Sequence, residues 1–234
     1  MKRFYSTQIF STYILLSEEE AHHCTKVLRC KTGDKVEVLN GSGSLFSGCI
    51  STIQKHEVQI EITGVIRTEN ENKNKLSIGI CPTKNPARIE WFIEKATEIG
   101  VVNIFPITTQ RTEKNTIKHE RLQHIIESAA KQSGQLYFPT LYPIQSFKQL
   151  INNTPNDLSQ KLIAHCEGDK HHLKNIYLKN SSAILLIGPE GDFTSTEVQE
   201  ALNKNYQPVS LGNSILRVET AGVVACSIIQ TLNY

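Results

Sequence analysis

The residues of this 234-residue chain best suited to chemistry gather in two glycine-containing segments near its C-terminal end. The first, Gly188-Pro189-Glu190-Gly191-Asp192-Phe193, follows the apolar run Ala183–Ile187 and precedes Thr194-Ser195-Thr196-Glu197, a capping-box helix start. Its glycines let a backbone approach a ligand closely, and Pro189 stiffens the turn. Loops that leave a buried strand and enter a helix are where open α/β sheets hold ligands. A plain strand-to-helix turn explains the same residues. The second segment, Leu211-Gly212-Asn213-Ser214-Ile215-Leu216-Arg217-Val218-Glu219-Thr220-Ala221, also runs from a strand into a helix. Ile215 and Leu216 stand beside an arginine, so they either plug the core or line an apolar ligand face. A third strand end, Ala164-His165-Cys166-Glu167-Gly168, completes one pocket if the three strands are neighbours. Neither Gly-x-x-x-x-Gly-Lys nor Gly-x-Gly-x-x-Gly occurs, which disfavours a nucleoside-triphosphate enzyme.

These loops need a parallel sheet to hold them, and the hydrophobic periodicity supplies one. Strands are expected at residues 76–81, 102–108, 162–166, 183–187 and 208–211. Helices are expected from Asn85-Pro86 to Gly100, over 119–133, from Thr194, and from about Thr220 to Leu232 with Glu219 or Thr220 as cap. Strands alternating with helices predict an α/β domain with a mostly parallel sheet. Upstream, alternating stretches at 35–39, 45–53 and 57–65 and a short helix from Ser17-Glu18-Glu19-Glu20 fit a small β-barrel-like domain. Residues 68–75 hold no apolar side chain and read as a polar linker. The expected domains are therefore 1–67 and 76–234.

Composition bounds the answer. A charged fraction of 21% against 39% hydrophobic residues excludes a disordered chain. The net charge of +2 cannot by itself identify a nucleic-acid binder. Six widely spaced cysteines form no CxxC half-site and read as reduced, mostly buried thiols of a cytoplasmic protein. The N-terminus lacks a signal-type apolar core, and no apolar run approaches the ~20 residues of a membrane span. Adjacent histidines at 22–23 and 171–172 diverge on a helix, so no metal site is expected. Trp91 is assigned to core or dimer packing.

The pair Gly-Pro-Glu-Gly-x-Phe-Thr and Leu-Gly-x-x-Ile-Leu-Arg-Val-Glu-Thr-Ala resembles the SPOUT-class RNA methyltransferases. More narrowly it resembles the bacterial 16S rRNA (uracil(1498)-N(3))-methyltransferase family. Arg3-Phe4, residues 22–29, Gly33-Asp34, Lys84 to Arg88, residues 94–101 and residues 129–133 extend the resemblance along nearly the whole chain. It implies a PUA-like RNA-binding β-barrel and a SPOUT domain with a deep trefoil knot. It further implies S-adenosylmethionine as methyl donor, a homodimer, and methylation of a uridine N3 in small-subunit ribosomal RNA of the assembled or assembling 30S particle. The family commonly has glycine at the position of Asp192 and arginine at that of Ser214.

On this reading His165, Cys166, Glu167, Gly188, Pro189, Glu190, Gly191, Leu211, Gly212, Ile215, Leu216 and Thr220 form the cofactor site. Glu190 either offsets the sulfonium charge or orients a loop amide, with capping as its alternative. Arg217 stays protonated and so stabilises developing uracil oxygens or holds a phosphate. Glu219 is a candidate base, with capping of the last helix as its alternative. Arg3, His22, Arg29, Lys84, Arg88, Lys95, Arg111, Lys131 and Gln132 are expected RNA contacts. Arg88 and Lys95 share a helix face near Glu98, where an ion pair explains part of the pattern. Two alternatives stand beside this function: a non-catalytic RNA-binding protein with a vestigial pocket, and a SPOUT enzyme acting on another RNA position.

Overall fold

The computed structural model describes residues 1–70, 75–154, 158–168 and 170–234. It divides into two compact units, Met1–Lys73 with Glu127–Phe138, and Asn74–Ile126 with Pro139–Tyr234. The expected linker at 68–75 falls partly on residues 71–74, outside the described residues. Sequence alone leaves 127–138 in the second domain, whereas the structure packs it with the first unit. The cause is long-range pairing. Lys131 Nζ donates to the Glu20 carboxylate, Arg3 Nη1 to the Lys131 carbonyl at 2.8 Å, and Leu136 joins Leu39 and Leu45 in one apolar cluster.

The first unit is a six-stranded sheet. Its strands are β1 (Lys2–Tyr5), β2 (Gln8–Ile9), β3 (Tyr13–Leu15), β4 (Lys35–Leu39), β5 (Ser44–Ile53) and β6 (Val58–Thr68), in the order β1-β4-β5-β6-β3-β2. Only β1 and β4 pair in parallel. Alternation sends Val36, Val38, Val58 and Ile60 into one core with Phe4, Ile14 and Ile50. Register irregularities between β5 and β6 curl the sheet. Helix α1 (Glu18–His22) starts where the Ser17 hydroxyl accepts from the Glu20 amide, and a π-helical turn (His23–Val27) continues it.

The second unit is a parallel sheet flanked by helices. Its strands are β7 (Leu76–Ile80), β8 (Asn103–Thr108), β9 (Thr140–Leu141), β10 (Gln145–Ser146), β11 (Gln160–Ala164), β12 (Ala183–Ile187) and β13 (Gln207–Val209). They run in the order β10-β8-β7-β12-β11-β13, with β9 also on β8. Every residue of β7 and β12 is buried, which is why both read as continuous apolar or small-residue runs. The helices are α2 (Pro86–Ile99), the first turns of α3 (His119–Ser133), α4 (Phe147–Asn153), α5 (Leu173–Ile176), α6 (Ser195–Asn203) and α7 (Val218–Asn233). Asn85 caps α2 through the Ala87 amide at 3.0 Å, and Gly100 ends it at φ 101°.

Two expectations change here. Arg217, not Glu219 or Thr220, is the N-cap of α7, because the helix begins at Val218. Trp91 is 44% exposed on α2 and is not core. Of the six thiols, Cys24, Cys30, Cys81 and Cys226 are buried. Among the described residues no helix is long and apolar enough to cross a membrane.

Candidate active site

Strands β12, β11 and β13 are neighbours in that order, so their carboxyl ends bring three loops together. The loops enclose a pocket of about 510 Å³. Gly188, Pro189 and Glu190 line it after β12, His165 and Cys166 after β11, and Leu211, Gly212, Ile215, Leu216 and Arg217 after β13. Glu167, Gly191, Glu219 and Thr220 are not on its wall. Glu167 and Gly191 are exposed, Thr220 is half-buried in the first turn of α7, and Glu219 is buried beside it.

The first loop is held from outside the pocket. Arg111 Nη1 donates to the Gly191 carbonyl at 2.7 Å, and the Lys84 amide donates to Glu190 Oε1 at 3.2 Å. Glu190 thus accepts from the main chain just ahead of α2. A Cβ on Gly188 would approach the Phe193 ring at 3.1 Å, so glycine fits where the turn folds against its own aromatic residue. The third loop turns at Gly212, with φ 146°, and Ser210 Oγ bonds both its amide (3.2 Å) and its carbonyl (3.0 Å).

Ile215 is 86% exposed, which removes the core-plug alternative for that residue and leaves an apolar surface on the pocket wall. His165 has both ring nitrogens buried without a hydrogen-bond partner among the described residues. Burial, then the Lys170 ammonium, lower its pKa, so it stands neutral at pH 7. Asp192, absent from the expected site, also lines the pocket. Its only sequence signal was its departure from the family's usual glycine. The Cys166 thiol is raised by partial burial and then by the Asp192 charge.

Glu219 Oε1 lies 3.7 Å from Arg88 Nε, and its Oε2 is buried without a hydrogen-bond partner among the described residues. That is the position of a buried ion-pair member rather than of a base open to substrate. Several expected RNA contacts are likewise occupied within their own units. Arg3 forks onto Glu37 at 2.9–3.0 Å, and Lys131 pairs with Glu20. Lys95 pairs with Glu98 at 2.9 Å, as the helix spacing suggested, and also with Glu94 at 2.7 Å. Lys84 Nζ meets Glu113 at 2.9 Å yet stays 77% exposed. His22, Arg29 and Gln132 are exposed.

A parallel α/β sheet with a pocket built from three adjacent strand-end loops is the arrangement of a ligand-binding α/β domain, and comparison with known proteins specifies it. Residues 70–230 match the RNA methyltransferase domain family and residues 16–63 the RNA methyltransferase PUA domain family. The chain belongs to the RNA methyltransferase family. Its relatives include proteins named Ribosomal RNA small subunit methyltransferase E. The one from Synechocystis is 30% identical over 231 residues, covering 96% of this chain and 75% of the relative. The one from Bacillus subtilis is 29% identical over 92% of this chain and 88% of its own length. Among solved structures, the Neisseria gonorrhoeae enzyme of that name bound to S-adenosyl methionine superposes with a TM-score of 0.89 at 28% identity, over 99% of this chain and 98% of that one. A probable rRNA-methyltransferase from Porphyromonas gingivalis gives 0.90 at 36% identity, over 100% and 98%. The resemblance drawn from the paired loops is thus borne out.

Proposed function

We propose that the protein transfers the methyl group of S-adenosylmethionine to N3 of a uridine in 16S ribosomal RNA. The observation that carries this reading is the single pocket formed by the loops after β11, β12 and β13. In the same reading the curled sheet is a PUA-like barrel for RNA, and the strand-end loops belong to a deep trefoil knot. The enzyme works in the cytoplasm as a homodimer on the assembled or assembling 30S particle.

The residues present fit the cofactor. The apolar Ile215 surface can cover a nucleobase, and main-chain groups of 188–190 and 211–216 can bond its edge. Bound there, S-adenosylmethionine supplies an electrophilic methyl group on a sulfonium. Placing the nucleophile in line supplies much of the rate in such a displacement. Arg217, exposed at the pocket wall, steadies the uracil oxygens as N3 gives up its proton to water, and its own permanent charge excludes it as the base. Glu219 is a positioning residue that ties the start of α7 to Arg88. RNA contact falls to His22, Arg29, Gln132 and Lys84, while Arg3, Arg88, Lys95, Arg111 and Lys131 serve the internal bonds described above.

The test is methyl incorporation into 30S particles, read by mass spectrometry of nucleosides, beside calorimetry with S-adenosylhomocysteine. N3-methyluridine is expected. Gly212→Val and Arg217→Ala should abolish it with the fold retained. Folded protein that binds no cofactor but binds RNA in a salt-sensitive way would make this a non-catalytic RNA-binding protein. A methyl group found elsewhere would reassign the target.

A further inference from the structure

We infer that Asp192 is a positioning residue for the cofactor pocket, its carboxylate clamping the loop after β11 to the loop after β12. The inference rests on the function proposed above. The ladder between β11 and β12 ends at the pair Ala164–Ile187. Beyond that pair the two chains diverge into pocket wall. Asp192 Oδ2 accepts from the Cys166 amide at 2.7 Å, and Oδ1 accepts from the Phe193 amide at 2.8 Å. One side chain thus joins two loops past the end of their sheet.

The backbone explains why the residue is aspartate. Asp192 sits at φ 60°, in the left-handed region that glycine enters freely and that aspartate tolerates better than most residues. Glycine, usual in the related family, would satisfy the turn but leave the Cys166 amide without this acceptor. The loop after β12 is already fixed on its other side by Arg111 and Lys84. The Asp192 bond therefore governs the β11 side, where His165 and Cys166 form the wall.

Asp192→Gly and Asp192→Asn test this. In the ligand-free protein, Asp192→Gly should speed hydrogen exchange at the Cys166 amide about tenfold, as loss of a charge-assisted bond requires. It should weaken S-adenosylhomocysteine binding about tenfold, equivalent to about 1.4 kcal/mol. The KM for S-adenosylmethionine should rise in parallel, with kcat within about twofold of the parent. Asp192→Asn retains one oxygen acceptor and should recover most of both losses. Unchanged exchange at Cys166, or binding within about twofold of the parent in the glycine variant, overturns the inference. So does exchange that rises throughout the second unit without rescue by asparagine, which marks a general stability role. Failure of the parent protein to bind the ligand sinks the proposed function instead, while the exchange measurement still decides the clamp.

Discussion

Gly222 on α7 is a test of how tightly the helix that follows Arg217 is seated. A Cβ there would lie 2.4 and 2.6 Å from Cε2 and Cδ2 of Phe92 and 3.2 Å from Cδ1 of Ile80. Phe92 and Ile80 are fully buried, so neither can swing into solvent. Two effects compete in Gly222→Ala. Replacing glycine inside a helix by alanine gains about 1 kcal/mol of propensity. Forcing a methyl group into a filled core costs about 1–3 kcal/mol. Carbon atoms pack best at about 3.5–4.0 Å, so a first contact at 2.4 Å puts the penalty at its upper end. A net loss of about 1–2 kcal/mol is expected. For a chain of this size that lowers the thermal midpoint by roughly 2–8 °C. The assay is urea and thermal unfolding, following the transition of the second unit. Cofactor affinity should fall with it, because any shift of α7 moves Arg217 and Val218 at the pocket wall. Adding Phe92→Leu should recover part of the loss by making room. An alanine variant as stable as the parent would refute the packing argument.

His165 makes stability pH-dependent. Its pKa in the folded protein lies below the ordinary value of 6.5, through burial and then Lys170. The unfolded chain therefore takes up the proton first. The contribution is fully present above pH 6.5 and is lost as pH falls through that value toward the lowered folded pKa. His165→Phe should flatten this part of the curve of thermal midpoint against pH, and equal slopes in both proteins would exclude His165 as the cause. At the start of α6, Thr194 Oγ1 accepts from the Glu197 amide at 3.2 Å, and Glu197 Oε2 accepts from the Thr194 amide at 2.9 Å. Thr194→Ala should cost about 1 kcal/mol in urea unfolding. Glu197→Ala should cost more, since Glu197 Oε1 also accepts from the Gln110 amide at 2.8 Å, beside the arginine that holds Gly191. Equal losses would show that the Gln110 bond contributes nothing.

What the sequence made legible shares one property: the residue answers a need of its own segment. The capping box at Thr194, Asn85 before Pro86, Gly100 at φ 101° and the unbroken apolar run of β12 each serve local geometry, and each was read correctly. The three pocket loops belong here too, since strand, glycine turn and helix start follow one another along the chain. Elements too short to show a period, such as β2, β9 and β10 with two residues each, stayed hidden. So did relations whose partner is far away. Nothing near Lys131 announces Glu20, 111 residues distant, and so the sequence could not place 127–138 with the first unit. Asp192 lies between these cases. Its left-handed backbone is a local demand that glycine would meet equally well. The choice of a carboxylate answers Cys166, 26 residues upstream. A residue that departs from its family's usual choice while keeping the required backbone is therefore a place to look for an added tertiary bond. By the same logic Ser214, the other departure, lies exposed on the pocket wall, where no such bond is seen among the described residues. Of the two departures, only Asp192 has a structural consequence to account for it.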